Sequence, residues 1–91
     1  MTLPLLITEL RKQAGLSKPD LKERLGVEMP TIHSWETTEE YHRAPSPRYL
    51  QMLLDLADAT DEQRTEAWRL LAEADKAHAE KRARRNAEGA A

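Results

Sequence analysis

The chain has 91 residues, a net charge of −2 and no cysteine. This length suits one domain with a modest core, and the lack of cysteine excludes disulfides, thiolate nucleophiles and zinc–thiolate sites. There is no run of 18 apolar residues and no signal-peptide pattern, so we expect a soluble, cytoplasmic protein. Phenylalanine is absent and valine occurs once, whereas leucine, alanine, glutamate, lysine and arginine dominate, which predicts an all-α fold.

Positive charge is concentrated at the C-terminal end of the chain. Residues 1–75 hold 9 basic and 14 acidic side chains, a net charge of −5, whereas residues 76–91 hold 5 basic and 2 acidic side chains, a net charge of +3. The total charge is therefore not that of a typical nucleic-acid-binding domain, which is basic overall. The distribution of the charge is more informative than its sum.

The first predicted helix is Leu3–Ala14. Leu6, Ile7 and Leu10 recur at the spacing of one helix face and form an apolar stripe. Gly15 is expected to end the helix.

Two short helices with a sharp corner between them are predicted next. Ser17 and Asp20 form a capping pair that starts the first of them, and Gly26 supplies the positive φ that ends it after Leu25. The other helix, Pro30–Glu36, has its own inner apolar face. Helices this short need others behind them for stability, and the arrangement is that of a helix-turn-helix.

A polar loop, Thr37–Ser46, separates this unit from a fourth predicted helix. At about ten residues the loop is long for a connection between packed helices, and such loops are often functional. The fourth helix is expected to run from Pro47 to about Ala59. One of its faces is apolar and carries Leu50, Leu53, Leu54 and Ala57.

The last predicted helix begins at Asp61, after a capping box formed by Thr60 and Gln63, and is expected to run to Asn86. Its apolar stripe fades beyond Ala74 into positions that lysine and arginine dominate. A helix of this length extends past a domain of this size, so its far end must meet a partner or fray. The expected organisation is a helix-turn-helix domain over residues 1–59, a long C-terminal helix with a role in dimerisation over 60–86, and a disordered tail over 87–91.

An ordered set of apolar, glycine and polar positions runs through the first four helices. Its members are Leu10, Arg11, Gly15 and Leu16; Leu21, Leu25, Gly26 and Val27; Thr31, Ile32, Trp35 and Glu36; and Pro45, Leu50, Leu53, Leu54 and Ala57. In this order and spacing the chain resembles the Xre/lambda-repressor-like helix-turn-helix family, which includes the Cro-type phage regulators. The resemblance covers roughly residues 5–59. It implies a five-helix, all-α fold and a symmetric dimer on a palindromic operator, with the fifth helix used for dimerisation.

The resemblance also implies which residues contact DNA. The positions that face the major groove correspond to Glu28, Met29, Pro30, Thr31, His33 and Ser34. Lys18 stands near the phosphate backbone, and Arg43 and Arg48 are further candidates for phosphate contacts. In the groove, Met29 and Thr31 suit the thymine methyl group, His33 suits donation to guanine, and Glu28 can accept from cytosine N4.

Several of these positions have an ordinary structural alternative. His33 is equally well explained as a solvent-exposed helix residue, and Arg43 and Arg48 as surface charges. Glu28 also stabilises a helix start through the helix dipole. The groove-facing positions contain no Arg, Lys, Asn or Gln, the side chains that make strong bidentate base contacts, and Glu28 repels phosphate.

The last helix raises two further questions. Trp68, Leu71 and Ala74 either complete the domain core or form a dimer seam, and we expect the first turns to dock on the domain and the remainder to pair with a second copy. The basic run Lys81–Arg85 is either a solvated helix end or an electrostatic arm for DNA or an acidic partner. For the basic run the solvated helix end is the favoured interpretation.

The sequence predicts a DNA-binding transcriptional regulator, a small homodimeric repressor or autoregulator that binds double-stranded DNA. No nucleophile–base pair, metal-ligand cluster, glycine-rich phosphate loop or paired carboxylate stands out, so we expect no enzyme, no metal site and no cofactor. The alternative is a protein-interaction module, such as an adaptor, antirepressor or antitoxin, with the same fold. The acidic bias of residues 1–75 and the weak groove face motivate this alternative.

Overall fold

The computed structural model describes residues 1–37 and 44–89, with side chains described as far as Ala77. Within these residues there are helices and no strand, which confirms the predicted all-α class. The helices are α1 (Leu3–Gln13), α2 (Lys18–Leu25), α3 (Met29–Glu36), α4 (Pro47–Leu56) and α5 (Asp61–Gly89). Most of the predicted loop Thr37–Ser46 lies outside the described residues. Over the described part of the chain, no helix combines the length and the apolar character needed to cross a membrane.

The start of α2 is fixed by the predicted capping pair. The Asp20 backbone N–H donates to Ser17 Oγ at 3.3 Å, and the Ser17 backbone N–H donates to Asp20 Oδ2 at 3.2 Å. The Ser17 hydroxyl also donates to Asp20 Oδ2 at 2.8 Å. This hydrogen bond, followed by the one from the Ser17 backbone N–H, lowers the pKa of Asp20. Gly26, with a φ of 70°, ends the helix in the left-handed conformation that glycine adopts without strain. The sharp corner between α2 and α3 therefore follows from local chemistry.

The end of α4 differs from the prediction, since the helix stops at Leu56 and not at about Ala59. Asp58 has a φ of 48°, in the left-handed region that aspartate tolerates better than most residues. The backbone N–H of Ala59 then donates to the Leu54 carbonyl oxygen at 3.0 Å, which closes the helix end. This tight turn buries both Ala57 and Ala59 in the core, where a continued helix would point them in different directions.

One apolar core is shared by all five helices of the described chain. Its largest fully buried side chains are Leu6, Ile7, Leu10, Leu21, Ile32, Leu50, Leu53 and Leu54. The first turns of α5 add Ala67, Leu70 and Leu71 to the same core. The packed body therefore continues past residue 60 into α5.

Polar contacts fix the N-terminal end of α5 against the C-terminal end of α1. Gln13 and Gln63 donate to each other through their side-chain amides, at 3.1 and 2.9 Å. Gln13 Nε2 also donates to the Ala57 carbonyl oxygen at 2.9 Å. The Thr60–Gln63 capping box is present, since the backbone N–H of each residue donates to the side chain of the other residue. Gln63 thus caps α5 and docks it on α1 at once.

The far part of α5 leaves the packed body. Asp75, Lys76 and Ala77 are all exposed, and the helix backbone continues to Gly89, three residues beyond the predicted end at Asn86. Residues 87–89, expected in a disordered tail, are thus helical, in keeping with the high helix propensity of alanine and glutamate. A helix of 29 residues is about 43 Å long, and it accounts for the 50 Å longest dimension of the molecule.

Candidate nucleic-acid interface

The inner face of α3 is anchored to α1 by a nearly buried ion pair. Arg11 Nε lies 3.0 Å from both carboxylate oxygens of Glu36, whose side chain is only 4% exposed. The Thr8 hydroxyl donates to Glu36 Oε1 at 2.9 Å. Arg11 Nη1 also donates to the Leu16 carbonyl oxygen at 3.0 Å. The Glu36 carboxylate is therefore satisfied without water, and α3 is held at a fixed angle to α1.

The sequence alone does not mark Thr8, Arg11 and Glu36 as one structural cluster. A signal for it exists in the helical spacing, since Glu36 follows the buried Ile32 by four positions and so faces inward. An inward carboxylate requires a cation, but the pattern alone does not single out Arg11 among the basic residues of the chain.

Trp35 is a core residue. Its indole is 4% exposed and packs against Tyr49 of α4, with ring centroids 5.7 Å apart and planes inclined at 39°. This tilted aromatic pair fixes the start of α4 beside α3. Together with Ile32, which is fully buried, it makes the inner face of α3 part of the core.

The opposite side of α3, its outer face, consists of Pro30, Thr31, His33 and Ser34. The first three are exposed and Ser34 is half-buried. Met29, the first residue of the helix, is half-buried. The six positions predicted to face the major groove are therefore collected on one short helix and its cap, and none of them is a core residue.

Glu28 is the N-cap residue of α3. It is exposed and its side chain makes no capping hydrogen bond. A carboxylate at this end of a helix is favoured by the helix dipole. It also places negative charge at the edge of the outer face, where only His33 can carry a positive charge.

Two predicted phosphate contacts stand at helix starts on either side of α3 in the sequence. Lys18 is the first residue of α2 and is half-buried, and Arg48 is the second residue of α4 and is exposed. Ser46, the N-cap of α4, makes no side-chain capping bond. The N–H groups in the first turn of a helix have no acceptor within the helix itself. Helix starts of this kind attract anions. Arg43, the third predicted phosphate contact, lies outside the described residues.

An open depression separates the outer face of α3 from the start of α4. It has a volume of about 400 Å³, and its described lining consists of Pro30, Thr31, Ser34, Trp35, Ala44, Ser46 and Tyr49. The outer face of α3 and the start of α4 therefore border one shared depression, whose exposed lining is more apolar than polar.

The residues predicted for a dimer seam lie along the first half of α5. Leu71 is 5% exposed and belongs to the core of its own chain, whereas Trp68 and Ala74 are half-buried and pack against that core. The burial of Leu71 needs no second copy. Trp68 and Ala74 retain some accessible surface for one.

Among the residues whose side chains the structure describes, no group of three or more histidine or acidic residues is placed to hold a metal ion.

A family model described as a helix-turn-helix domain matches residues 5–68. The match includes most of α1, all of α2 to α4 and the first turns of α5, which is more than half of the chain. No curated protein and no solved structure matches the chain. The chain therefore belongs to the helix-turn-helix domain family, consistent with the Xre/lambda-repressor-like resemblance of its sequence.

Proposed function

We propose that the protein is a DNA-binding transcriptional regulator, a small repressor or autoregulator that inserts α3 into the major groove. The observation that carries the proposal is the geometry of α3 within a helix-turn-helix domain. Its inner face is locked to α1 by Glu36 and to α4 by Trp35, while its outer face is exposed. A rigid helix with a polar outer face is what groove readout requires.

Two groups of residues have different roles in binding, one in contacts with base edges and the other in contacts with phosphates. The outer face offers Thr31, His33 and Ser34 for base edges, together with Met29 for a thymine methyl group. Affinity comes mainly from phosphate contacts, for which Lys18 and Arg48 are the candidates on the described body, with Arg43 as a third. We also propose a cytoplasmic location, as expected from the sequence.

Replacement of Arg48 with alanine tests the phosphate contacts. We expect weaker binding to all DNA sequences, with the slope of log K against log salt concentration less steep by about 1, because one phosphate is no longer neutralised. The measurement is fluorescence anisotropy on the gene's own upstream region and on random duplexes at several salt concentrations.

Arg69→Ala is the matched control for this variant. Arg69 also carries one charge on an exposed surface, but it pairs with Glu66 and Glu73 on α5. Its removal is expected to leave the slope unchanged. An Arg48→Ala slope equal to that of Arg69→Ala would remove Arg48 from the interface, and an absence of binding by the native protein at low salt would overturn the DNA-binding proposal.

We further propose that the regulator is a homodimer on a palindromic site, with Trp68 and Ala74 of α5 at the dimer interface. Trp68 is half-buried within one chain, and an indole with residual accessible surface is a typical anchor of an interface. Leu71 lies beside these residues but serves the core of its own chain, so it is unsuited to testing the interface.

Trp68→Ala is expected to weaken self-association at least about tenfold, the effect of losing one buried aromatic anchor. Sedimentation velocity over a range of protein concentrations measures this change. Leu5→Ala, which truncates an exposed apolar residue on α1, is the control and is expected to leave association unchanged. A protein that stays monomeric, or a variant that associates as tightly as the native chain, would contradict this interface.

A second candidate function is that of a protein-interaction module. The observation in its favour is the outer face of α3, which has no Arg, Lys, Asn or Gln, beside a body with a net charge of −5 over residues 1–75. A stoichiometric protein partner in a pulldown, without DNA binding at low salt, would select this function.

A further inference from the structure

We propose that the projecting part of α5, residues 76–89, is a second DNA-binding element that contacts the phosphate backbone without sequence specificity, and not the solvated helix end that the sequence alone favours. This inference rests on the proposed DNA-binding function and adds a site outside the helix-turn-helix unit. The family match ends at residue 68, before the projecting part begins.

The described side chains of the projecting part lie outside the packed body. Among the side chains that the structure describes, Ala74 is the last on α5 to pack against the core, and Asp75, Lys76 and Ala77 are exposed. The helical backbone continues to Gly89, so this part forms a rod about 20 Å long. Leu71 is the last buried residue of α5 among the side chains that the structure describes.

The charge of this part is opposite to that of the body. Residues 76–91 carry 5 basic and 2 acidic side chains, whereas residues 1–75 have a net charge of −5. Steps of three and four residues along α5 connect the core positions Ala67, Leu71 and Ala74 to positions 78, 81 and 85. Those three positions hold His78, Lys81 and Arg85, so the helical register that is apolar in the body becomes basic beyond it.

The change from apolar to basic side chains along this register indicates which kind of partner the projecting part binds. A second copy of α5 would place like charges at the positions where a coiled coil needs apolar residues, which disfavours pairing along this part. A polyanion is the complementary partner. Double-stranded DNA carries one negative charge per about 1.7 Å of helix axis, so a basic rod of this length spans several phosphates.

The groove-facing surface of the helix-turn-helix unit has little positive charge of its own. Its outer face on α3 has no lysine or arginine, and Glu28 at its edge is acidic. A basic segment outside the unit therefore supplies electrostatic attraction that the groove-facing residues lack.

The test compares two double variants of the full chain that each remove two positive charges. Lys81→Ala/Arg85→Ala changes the projecting part, and Lys12→Ala/Arg69→Ala changes exposed cations on α1 and on the docked half of α5. Alanine keeps helix propensity high, and circular dichroism at 222 nm verifies that the helix content is retained. The probe is a random-sequence DNA duplex, with affinity measured at several salt concentrations.

We expect the slope of log K against log salt concentration to become less steep by about 1 to 2 in Lys81→Ala/Arg85→Ala, because up to two phosphate contacts are lost. The control double variant should keep the native slope. Equal slopes in the two double variants, with the native protein binding DNA, would overturn this inference alone. No DNA binding by the native protein, together with capture of an acidic protein through Lys81 and Arg85, would overturn the inference together with the proposed function.

Discussion

Replacing Glu36 with alanine is expected to lower the free energy of unfolding by about 3 kcal/mol, because it leaves the Arg11 guanidinium in a largely buried site without its partner. The Arg11 side chain is 13% exposed, and Glu36 accepts from Arg11 and from Thr8. Thermal and urea unfolding followed by circular dichroism measure the loss. For a domain of this size it corresponds to a fall in Tm of roughly 12–24 °C.

Glu73→Ala is the matched control for this prediction. Glu73 also pairs with an arginine, Arg69, but both side chains are more than half exposed, so water replaces the lost partner and little stability is lost. The double variant Arg11→Met/Glu36→Met should be more stable than Glu36→Ala, since it removes the unpaired charge. A Glu36→Ala variant as stable as Glu73→Ala would show that the Arg11–Glu36 pair is accessible to solvent.

Replacing Trp35 with alanine is expected to lower the free energy of unfolding by about 4 kcal/mol, the cost of emptying a large, well-packed aromatic site. The indole is 4% exposed and forms the contact between α3 and Tyr49 of α4. The same unfolding experiments measure the change. Because domains of this kind have little stability to spare, we expect a variant that is partly unfolded at physiological temperature.

Two further substitutions make the Trp35 prediction specific. Trp35→Phe keeps an aromatic ring against Tyr49 and should fall between the native protein and Trp35→Ala. Leu5→Ala removes an apolar side chain that is 52% exposed and should change stability very little. If Trp35→Ala lost less than about 1 kcal/mol, the indole would not be part of the core.

Local signals in the sequence account for most of the helix boundaries. The Ser17–Asp20 and Thr60–Gln63 capping pairs and the left-handed Gly26 act over three or four residues, so they can be recognised without knowledge of the fold. The end of α4 could not be predicted in this way. Asp58 adopts a positive φ because the turn buries Ala57 and Ala59, and that benefit depends on the core they enter.

The sequence predicts which residues belong to the candidate interface. It does not predict the contacts that hold α3 in place. The positions of Thr31 and His33 on the outer face follow from the helical spacing of Ile32 and Trp35. The contacts that hold α3 in place join residues 25 to 28 positions apart, as in Arg11–Glu36 and Thr8–Glu36. Spacing along one helix carries no information about partners on another.

The helical class, the corner between α2 and α3, and the apolar faces that form the core all follow from the sequence, because they depend on propensity, capping and periodicity within short segments. Which charges are buried and which are exposed depends on the tertiary packing. Glu36 pairs with Arg11 inside the packed body, and Leu71 is buried in the core of its own chain. Burial is a property of the whole packed chain, so only the fold separates such structural residues from the exposed His33, Arg48 and Lys76.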